Sequence, residues 1–377
     1  MKSFFNSLIT FFKKETVLCI AAILAVISSF AVIPDKQYQS YPDWRVLSLL
    51  FCLMLVVAGL QSIGVFHHLA ATLLSGIKNT RGLIITLVLL CFFSAMFITN
   101  DVALITFVPF SIMILSMAGA ADLLIPAIVL ETIAANLGSM LTPIGNPQNL
   151  YLYSKFNMDI GSFLLYMLPL ALLSLILLVI CGFMQKSISI NTASLEKQPF
   201  TRKMHLIVYT LLFLVCIGCV IHIVAFPVML AITVIAVFFM DKSLFKKVDY
   251  CLLLTFVCFF VFIGNMQRIS VISQWLSSVI SGRELMASVL SSQIISNVPA
   301  AMLLSGFTQQ IRPLLYGVNI GGLGTLIASL ASVISYKCYA NTAHSKKGDY
   351  IKTFTAYNVV FLIVLCFAAY LLLSLPY

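Results

Sequence analysis

A chain of 377 residues that is 61% hydrophobic and 9% charged, with a mean hydropathy of +1.08, is too apolar for a soluble enzyme, because soluble domains carry roughly 25% charged residues. It reads as an all-α polytopic membrane protein. The formal charge of +10 does not require a nucleic-acid partner. When the apolar segments are alternated across a membrane from a cytoplasmic N-terminus, every Lys and Arg except Lys36, Arg45, Lys155, Arg268, Arg283 and Arg312 falls on the cytoplasmic side, which is the positive-inside bias.

In chain order, the first predicted span is about 17–33. Ser29-Phe30-Ala31 resembles a signal-peptidase site, but further apolar spans follow, so this run is read as a transmembrane helix. A second span covers about 45–63. At 65–79, Phe66, Leu69, Ala70, Leu73, Leu74 and Ile77 recur at helical spacing, opposite His67, His68, Ser75 and Lys78. This pattern predicts an amphipathic helix lying at the bilayer interface. The stretch 82–117 is apolar but broken at Thr99-Asn100-Asp101. A span at about 122–154 is broken at 138–147, and another runs about 160–184.

Residues 185–203 are the most polar stretch and are read as a cytoplasmic linker between two halves. Spans at 204–221, 224–240 and 249–265 follow, then a second amphipathic helix at 269–281. A broken stretch at 285–311, a broken span at 313–336 and a last span at 353–375 complete the chain. The ten Cys lie in or beside apolar segments. Cys216 and Cys219 are therefore expected to be two small hydrophobes on a helix rather than a redox or metal pair.

The two halves share an order of span, amphipathic helix, broken stretch and broken span. Residues 1–184 form an N-terminal repeat with a leading transmembrane helix, and 204–377 a C-terminal repeat with a final one. The charge bias puts the first amphipathic helix inside and the second outside, so the repeats are expected to be inverted, the signature of secondary transporters. Irregular backbone at membrane depth is tolerated only where it is buried in protein or lines a cavity. ITNDVA (Ile98–Ala103), NLGSMLTPIGNPQN (Asn136–Asn149), ISNVPA (Ile295–Ala300) and NIGGLGTLIAS (Asn319–Ser329) are the four such places.

Ser, Thr and Asn are favoured at helix starts, and Pro fits the first turn. Thr99-Asn100-Asp101 and Ser296-Asn297-Val298-Pro299 therefore predict helices that begin in mid-stretch. Each start leaves main-chain N–H donors and a partial positive charge. Two starts facing each other would hold an anion, and no Lys or Arg lies in any of the four motifs. Substrate is thus assigned to Thr99, Asn100, Asp101, Asn146, Ser296, Asn297 and Val298. Gly138, Pro143, Gly145, Gly321, Gly322 and Gly324 interrupt helices and free carbonyls, which are hard ligands for a small cation. Each half is expected to offer one cation site at the junction of its breaks, drawn from Asn100, Asp101, Gly138, Ser139, Thr142, Asn297, Gly321, Gly322 and Thr325. The coupling ion is read as Na+ or H+, with no other metal and no cofactor. Asp101 and Glu131 are the acids placed deep in the membrane, where an ionisable group is expected to have a function. No nucleotide-binding motif is present, which argues against an ATP-driven pump.

At F-x-TND-V-A-L-x-T-F-V-P and L-TPIGNPQN the chain resembles the arsenite permease and citrate transporter-like group of the Ion Transporter superfamily, which includes the divalent anion–sodium symporters. The resemblance covers about 45–340. It implies two inverted-topology repeats, re-entrant helical hairpins with Ser-Asn-Thr-like tips, and broken transmembrane helices. It also implies a homodimer and an elevator-like movement. Carried over, the tips are Thr99, Asn100 and Asp101, and Ser296, Asn297 and Val298, and the unwound segments are 138–146 and 321–325. Asp101 and Val298 stand where the dicarboxylate symporters have Thr, which weakens the case for a di- or tricarboxylate substrate. The expectation is an ion-coupled secondary transporter of a small anion or oxyanion in the plasma (inner) membrane, with a cytoplasmic N-terminus and an extracytoplasmic C-terminus, and not an enzyme. A sodium–proton antiporter with Asp101 as the exchanging carboxylate is the alternative on the same scaffold. A non-transporting receptor or assembly factor is the alternative from another class.

Overall fold

Residues 15–190, 203–342 and 345–375 are described by the computed structural model. Most of the expected linker, 191–202, and His344 lie outside them. The helices, in chain order, are α1 Thr16–Ala31, α2 Trp44–Ser62, α3 Val65–Leu74, α4 Thr80–Ile98, α5 Asn100–Met117, α6 Leu124–Gly138, α7 Pro147–Lys155 and α8 Ile160–Phe183. They continue as α9 Lys203–Val220, α10 Phe226–Met240, α11 Tyr250–Arg268, α12 Ser270–Ile280, α13 Glu284–Ile295, α14 Asn297–Ser305, α15 Ile311–Ile320, α16 Leu330–Ala340 and α17 Lys347–Ser374. Among the described residues there is no strand, and eight helical segments are long and apolar enough to cross a membrane. The protein is a multi-pass, all-helical membrane protein. Each expected break falls where polar and helix-breaking residues interrupt an apolar run, because there the local cost of a continuous helix is greatest.

The two broken stretches differ in length. α4 and α5 have 19 and 18 residues, roughly 28 Å each at the α-helical rise, and they pack side by side. α13 and α14 have 12 and 9 residues. At about 1.5 Å per residue neither crosses a ~30 Å hydrocarbon core.

The chain forms two compact units, each assembled from segments far apart in sequence. One takes the chain up to Gly59, Val208–Arg283 and Met302–Gln309. In it α1 packs along α11, where Asn265 Nδ2 donates to Ser28 Oγ over 3.0 Å. Cys216 and Cys219 are buried free thiols, as expected of small apolar residues. The loop after α1 is held by Arg268, which donates to Asp35 over 2.8 Å and to the Tyr41 hydroxyl over 3.2 Å.

The hydrogen bond from Arg268, helped by the Gln37 and Tyr38 main-chain N–H groups, holds the Asp35 carboxyl below the ordinary value of 3.8 against the opposing effect of desolvation. The folded carboxyl binds its proton less tightly than the unfolded one, so the pair stabilises the fold above the ordinary Asp range. That contribution is lost as pH falls through the lower folded value. In thermal melts, Asp35→Asn is expected to lie slightly below the parent near neutral pH, an exposed pair contributing little, and to converge with it below about pH 4, where the parent's carboxyl takes up its proton.

The other unit takes Leu60–Ile207, Glu284–Ala301 and Gln310–Tyr377. α6 is its centre: every residue from Ala127 to Gly138 is buried, and α4, α5, α8, α16 and α17 pack around it. The first residues of the expected linker are pinned here. Thr80 N–H donates to Ile188 O over 2.9 Å, and Arg81 donates to Gln185 O over 3.0 Å. Both helix starts predicted from the polar tips, and both interrupted spans, belong to this unit.

Candidate functional site

The two tips share a rare backbone conformation. Thr99, between α4 and α5, has φ 70° and ψ 152°, and Ser296, between α13 and α14, has φ 73°. Non-glycine residues avoid this region, and each instance costs about 1–3 kcal/mol. Such strain persists only where the surroundings enforce it. The helices begin one residue later, at Asn100 and Asn297. Neither tip hydroxyl works as the expected N-cap. Thr99 makes no capping bond, and Ser296 Oγ instead donates to Ala328 O over 3.3 Å and to Asn297 Oδ1 over 3.4 Å.

The broken spans supply the rest of the site. α6 ends at Gly138 because α4 lies against it: a Cβ at this glycine would stand 2.0 Å from Phe92 O. Short 3-10 turns at Ser139–Leu141 and Pro143–Gly145 carry the chain to α7. The second span follows the same plan, with α15 ending at Ile320 and a 3-10 turn at Leu326–Ala328 preceding α16. Residues 136–149 and 319–332 align without a gap. Asn136 pairs with Asn319, Gly138 with Gly321, Thr142 with Thr325 and Asn146 with Ser329. The hydrogen bonds follow that register: Thr142 Oγ1 donates to Met96 O, and Thr325 Oγ1 donates to Gln293 O. Both acceptors lie three residues before a strained tip.

A chain of hydrogen bonds joins these four segments. Asn136 Oδ1 accepts from Asn100 Nδ2 and from Ser329 Oγ, both over 2.9 Å. Ser329 follows Ala328, whose carbonyl receives Ser296 Oγ. Asn297 Nδ2 lies against Gly322, within 2.9 Å of where a Cβ would stand. A second link runs from Asn319 Nδ2 to Asn149 Oδ1 over 2.8 Å. Asn149 Nδ2 in turn reaches Ser139 O at 3.2 Å and the carbonyls of Met140 and Thr142 at 3.4 Å.

Of the residues singled out from sequence, Asn100, Asn146, Ser139, Ser296 and Asn297 are buried in this cluster. Asn146 Nδ2 contacts Ser139 Oγ at 3.4 Å. Asp101 is half-buried at the first turn of α5, with its N–H on Asn100 Oδ1. Val298 is half-buried and brings no polar side-chain atom. Thr325 is exposed, and its hydroxyl contacts the Gln293 carbonyl rather than the central chain of bonds. Glu131 is fully buried on α6 and accepts from Ser111 Oγ of α5, away from the tips. Among the described residues no three His, Cys, Asp or Glu gather where they could hold a metal.

Four members of the cluster were missed from sequence as site residues: Asn136, Asn149, Asn319 and Ser329. The gapless alignment of the two interrupted spans carries the signal that would have found Asn136 and Asn319, since each Asn stands two residues before the glycine that ends its helix.

Comparison with known proteins agrees with this architecture. The family model described as Citrate transporter matches residues 8–314. The uncharacterized transporter MJ0456 of Methanocaldococcus jannaschii is 35% identical over 78% of this chain and 81% of its own length. The inner membrane protein YbiR of Escherichia coli is 29% identical over 82% of this chain and 84% of its own. The silicon efflux transporter LSI3 of Oryza sativa subsp. japonica is 30% identical over 44% of this chain and 34% of its own. An all-helical membrane fold with two matched, interrupted spans, together with these matches, shows that the chain belongs to the citrate transporter family of membrane transporters.

Proposed function

We propose that the protein is an ion-coupled secondary transporter that moves a small anion or oxyanion across the plasma membrane. Substrate sits at the tips, on the first-turn groups of Thr99, Asn100, Asp101, Ser296, Asn297 and Val298, with Asn146 close by. The freed carbonyls and hydroxyls of the interrupted spans, around Gly138, Ser139, Thr142, Gly321, Gly322 and Thr325, take the coupling cation. The observation that carries this reading is the bond chain Asn100–Asn136–Ser329, continued from Ala328 to Ser296, which ties the two strained tips to both interrupted spans. Buried asparagines and main-chain dipoles bind an anion without a permanent charge that would hold it too tightly to release. Asp101 would repel a dianion in this low-dielectric setting, so a singly charged or neutral oxyacid fits better than citrate. The rice relative is named a silicon efflux transporter, not a citrate transporter.

The unit holding both tips and both interrupted spans is one compact body, as an elevator-like movement requires. The repeats are proposed to be inverted, the first hairpin re-entrant like the second, the N-terminus cytoplasmic, the C-terminus extracytoplasmic, and the working form a homodimer.

Flux into proteoliposomes tests the function, with arsenite, silicic acid, phosphate and citrate offered under sodium or proton gradients. Flux of one of these solutes driven by a cation gradient is the expected result. Sodium-driven proton movement without solute flux would make it an antiporter, a second reading favoured by the half-buried carboxyl of Asp101 at the tip. No flux of either kind would leave a receptor or assembly role. Asn100→Ala and Asn297→Ala are each expected to abolish cation-stimulated uptake. Unchanged uptake in either would remove the tips from the site.

A further inference from the structure

Glu131 is an acid at membrane depth that the site at the tips leaves unused. Three other helices close on it. Ser111 of α5 donates to Oε1, the Cys91 thiol of α4 lies 4.0 Å from Oε2, and Tyr350 of α17 lies beside Thr132 within range of the Glu131 charge. Every one of these residues is fully buried. Thr132 gives its own proton to Ile128 O over 2.6 Å. The Tyr350 hydroxyl makes no hydrogen bond among the described residues.

Among the described residues, no permanent positive charge faces the carboxyl. α4 offers Cys91 and α5 the Ser111 hydroxyl, with His67 of α3 stacked on the neighbouring Phe110. Asp101 stands about 15 Å along α5 from Ser111. α16 brings Tyr336 and Cys338 toward Tyr350, while its Lys337 is exposed. α8 carries Tyr166 and Cys181 toward its two ends. Arg312 of α15 donates to Leu372 O, about 33 Å along α17 from Tyr350. Asp122, ahead of α6, pairs with Lys186 at the surface over 3.5 Å.

Burial without a countercharge disfavours a carboxylate, so a glutamine would fill this place at lower cost if only the Ser111 bond mattered. The unpaired tyrosine hydroxyl points to a second state. A protonated carboxyl has spent one of its positions on its own proton, whereas a carboxylate only accepts and has about four sites for donors. Ser111, Cys91 and Tyr350 are three donors from three helices, and the hydroxyl left over beside the acid has a partner once the acid ionises. Tyr350 is also the first buried residue of α17, directly after the exposed 346–349. Its ring packs against Tyr339 and Tyr336, with centroids 5.0 and 5.5 Å away. It therefore stands between the carboxyl and a charged helix end that meets water.

We propose that Glu131 is a proton-binding site of the transport cycle, with Tyr350 as the positioning residue that steadies its ionised form. On release the carboxyl O–H breaks, the proton passes to water at the exposed start of α17, and the carboxylate accepts from the Tyr350 O–H; uptake is the reverse. This rests on the ion-coupled reading above and names the proton among its coupling ions. Glu131 lies about 7.5 Å along α6 from Asn136, and charges in a buried setting are little screened, so its ionisation is felt at the bond chain that joins the tips.

Infrared spectroscopy of the reconstituted protein tests the proton site directly, through the carbonyl stretch of a protonated carboxylic acid. The parent should show an acid band that fades as pH rises between about 5 and 9, and Glu131→Gln should lack it. In Tyr350→Phe the fading should move up by about 1 pH unit, the value of one hydrogen bond to a charged group. In proteoliposomes, solute uptake by the parent should respond to an imposed proton gradient, and Glu131→Gln should lose that response. A band that persists in Glu131→Gln, a band that ignores pH, or a folded Glu131→Gln that still responds to the gradient would each overturn the proposal, as would parent uptake indifferent to the gradient. Should Glu131→Gln fail to fold, an unshifted titration in Tyr350→Phe overturns it. If the parent carries no solute at all, the transporter reading fails, and the infrared titration alone decides whether Glu131 exchanges a proton.

Discussion

Asn136→Ala is expected to lower uptake by at least tenfold while the helices stay in place. The Asn136 Oδ1 atom is one acceptor for two donors from different parts of the chain, Asn100 Nδ2 and Ser329 Oγ, and all three residues are buried. Truncation leaves both donors without the partner that holds them. An orphaned buried polar group costs about 1–3 kcal/mol, and about 1.4 kcal/mol is a factor of ten in an equilibrium constant. The loss falls on the tip geometry, because what disappears is the tether between Asn100 and the second interrupted span, while the apolar packing of α6 is untouched. Asn136→Asp keeps the acceptor and should retain more activity than alanine, less any cost of a charge close to Asp101. Initial uptake rates and Tm measured on the same preparations separate the two effects. A rate for Asn136→Ala within twofold of the parent would mean that the bond chain does not hold the site together.

Gly138→Ala is expected to destabilise the fold strongly. The added Cβ would lie 2.0 Å from Phe92 O, 2.7 Å from Phe92 C and 2.8 Å from Phe92 Cα. These are main-chain atoms in the middle of α4, so no rotamer change relieves the contact. Forcing atoms into a packed interior costs typically 1–3 kcal/mol and more where backbone must move. Here α4 and α6 would have to separate at the end that carries both Asn136 and the first unwound turn. The expected result is loss of the monodisperse peak in detergent size-exclusion chromatography, or a Tm lower by several degrees. Gly348→Ala is the control. It lies in α17 with nothing within 4 Å of its Cβ position, and alanine there should be neutral or add up to about 1 kcal/mol through helix propensity. Equal behaviour of the two variants would contradict the close approach of α4 and α6.

Much of the fold is readable locally. α8, with 24 residues from Ile160 to Phe183, is announced by an uninterrupted apolar run, and the break at Thr99 by three polar residues inside one. The two amphipathic helices show themselves by spacing alone, and they appear as Val65–Leu74 and Ser270–Ile280. The capping expectation went astray at the same tips. Thr and Ser are good N-caps in isolated helices, but here φ is driven positive, Thr99 makes no capping bond and the Ser296 hydroxyl turns to Ala328 O.

What the sequence determined by itself is therefore the class of protein, the order of its helices and the places where they stop, because each follows from short-range terms: transfer of apolar side chains, helix propensity and backbone breakers. Tertiary structure alone decided the partners. Asn136 and Ser329 meet across 193 positions and Asn149 and Asn319 across 170, and Thr325 N–H finds Gln293 Oε1 across 32. A buried polar atom must find a partner, but that requirement does not name it. Several amides and hydroxyls near each break could have served, and only the packing of α4, α5, α6 and α16 around one another selects the pairs that form.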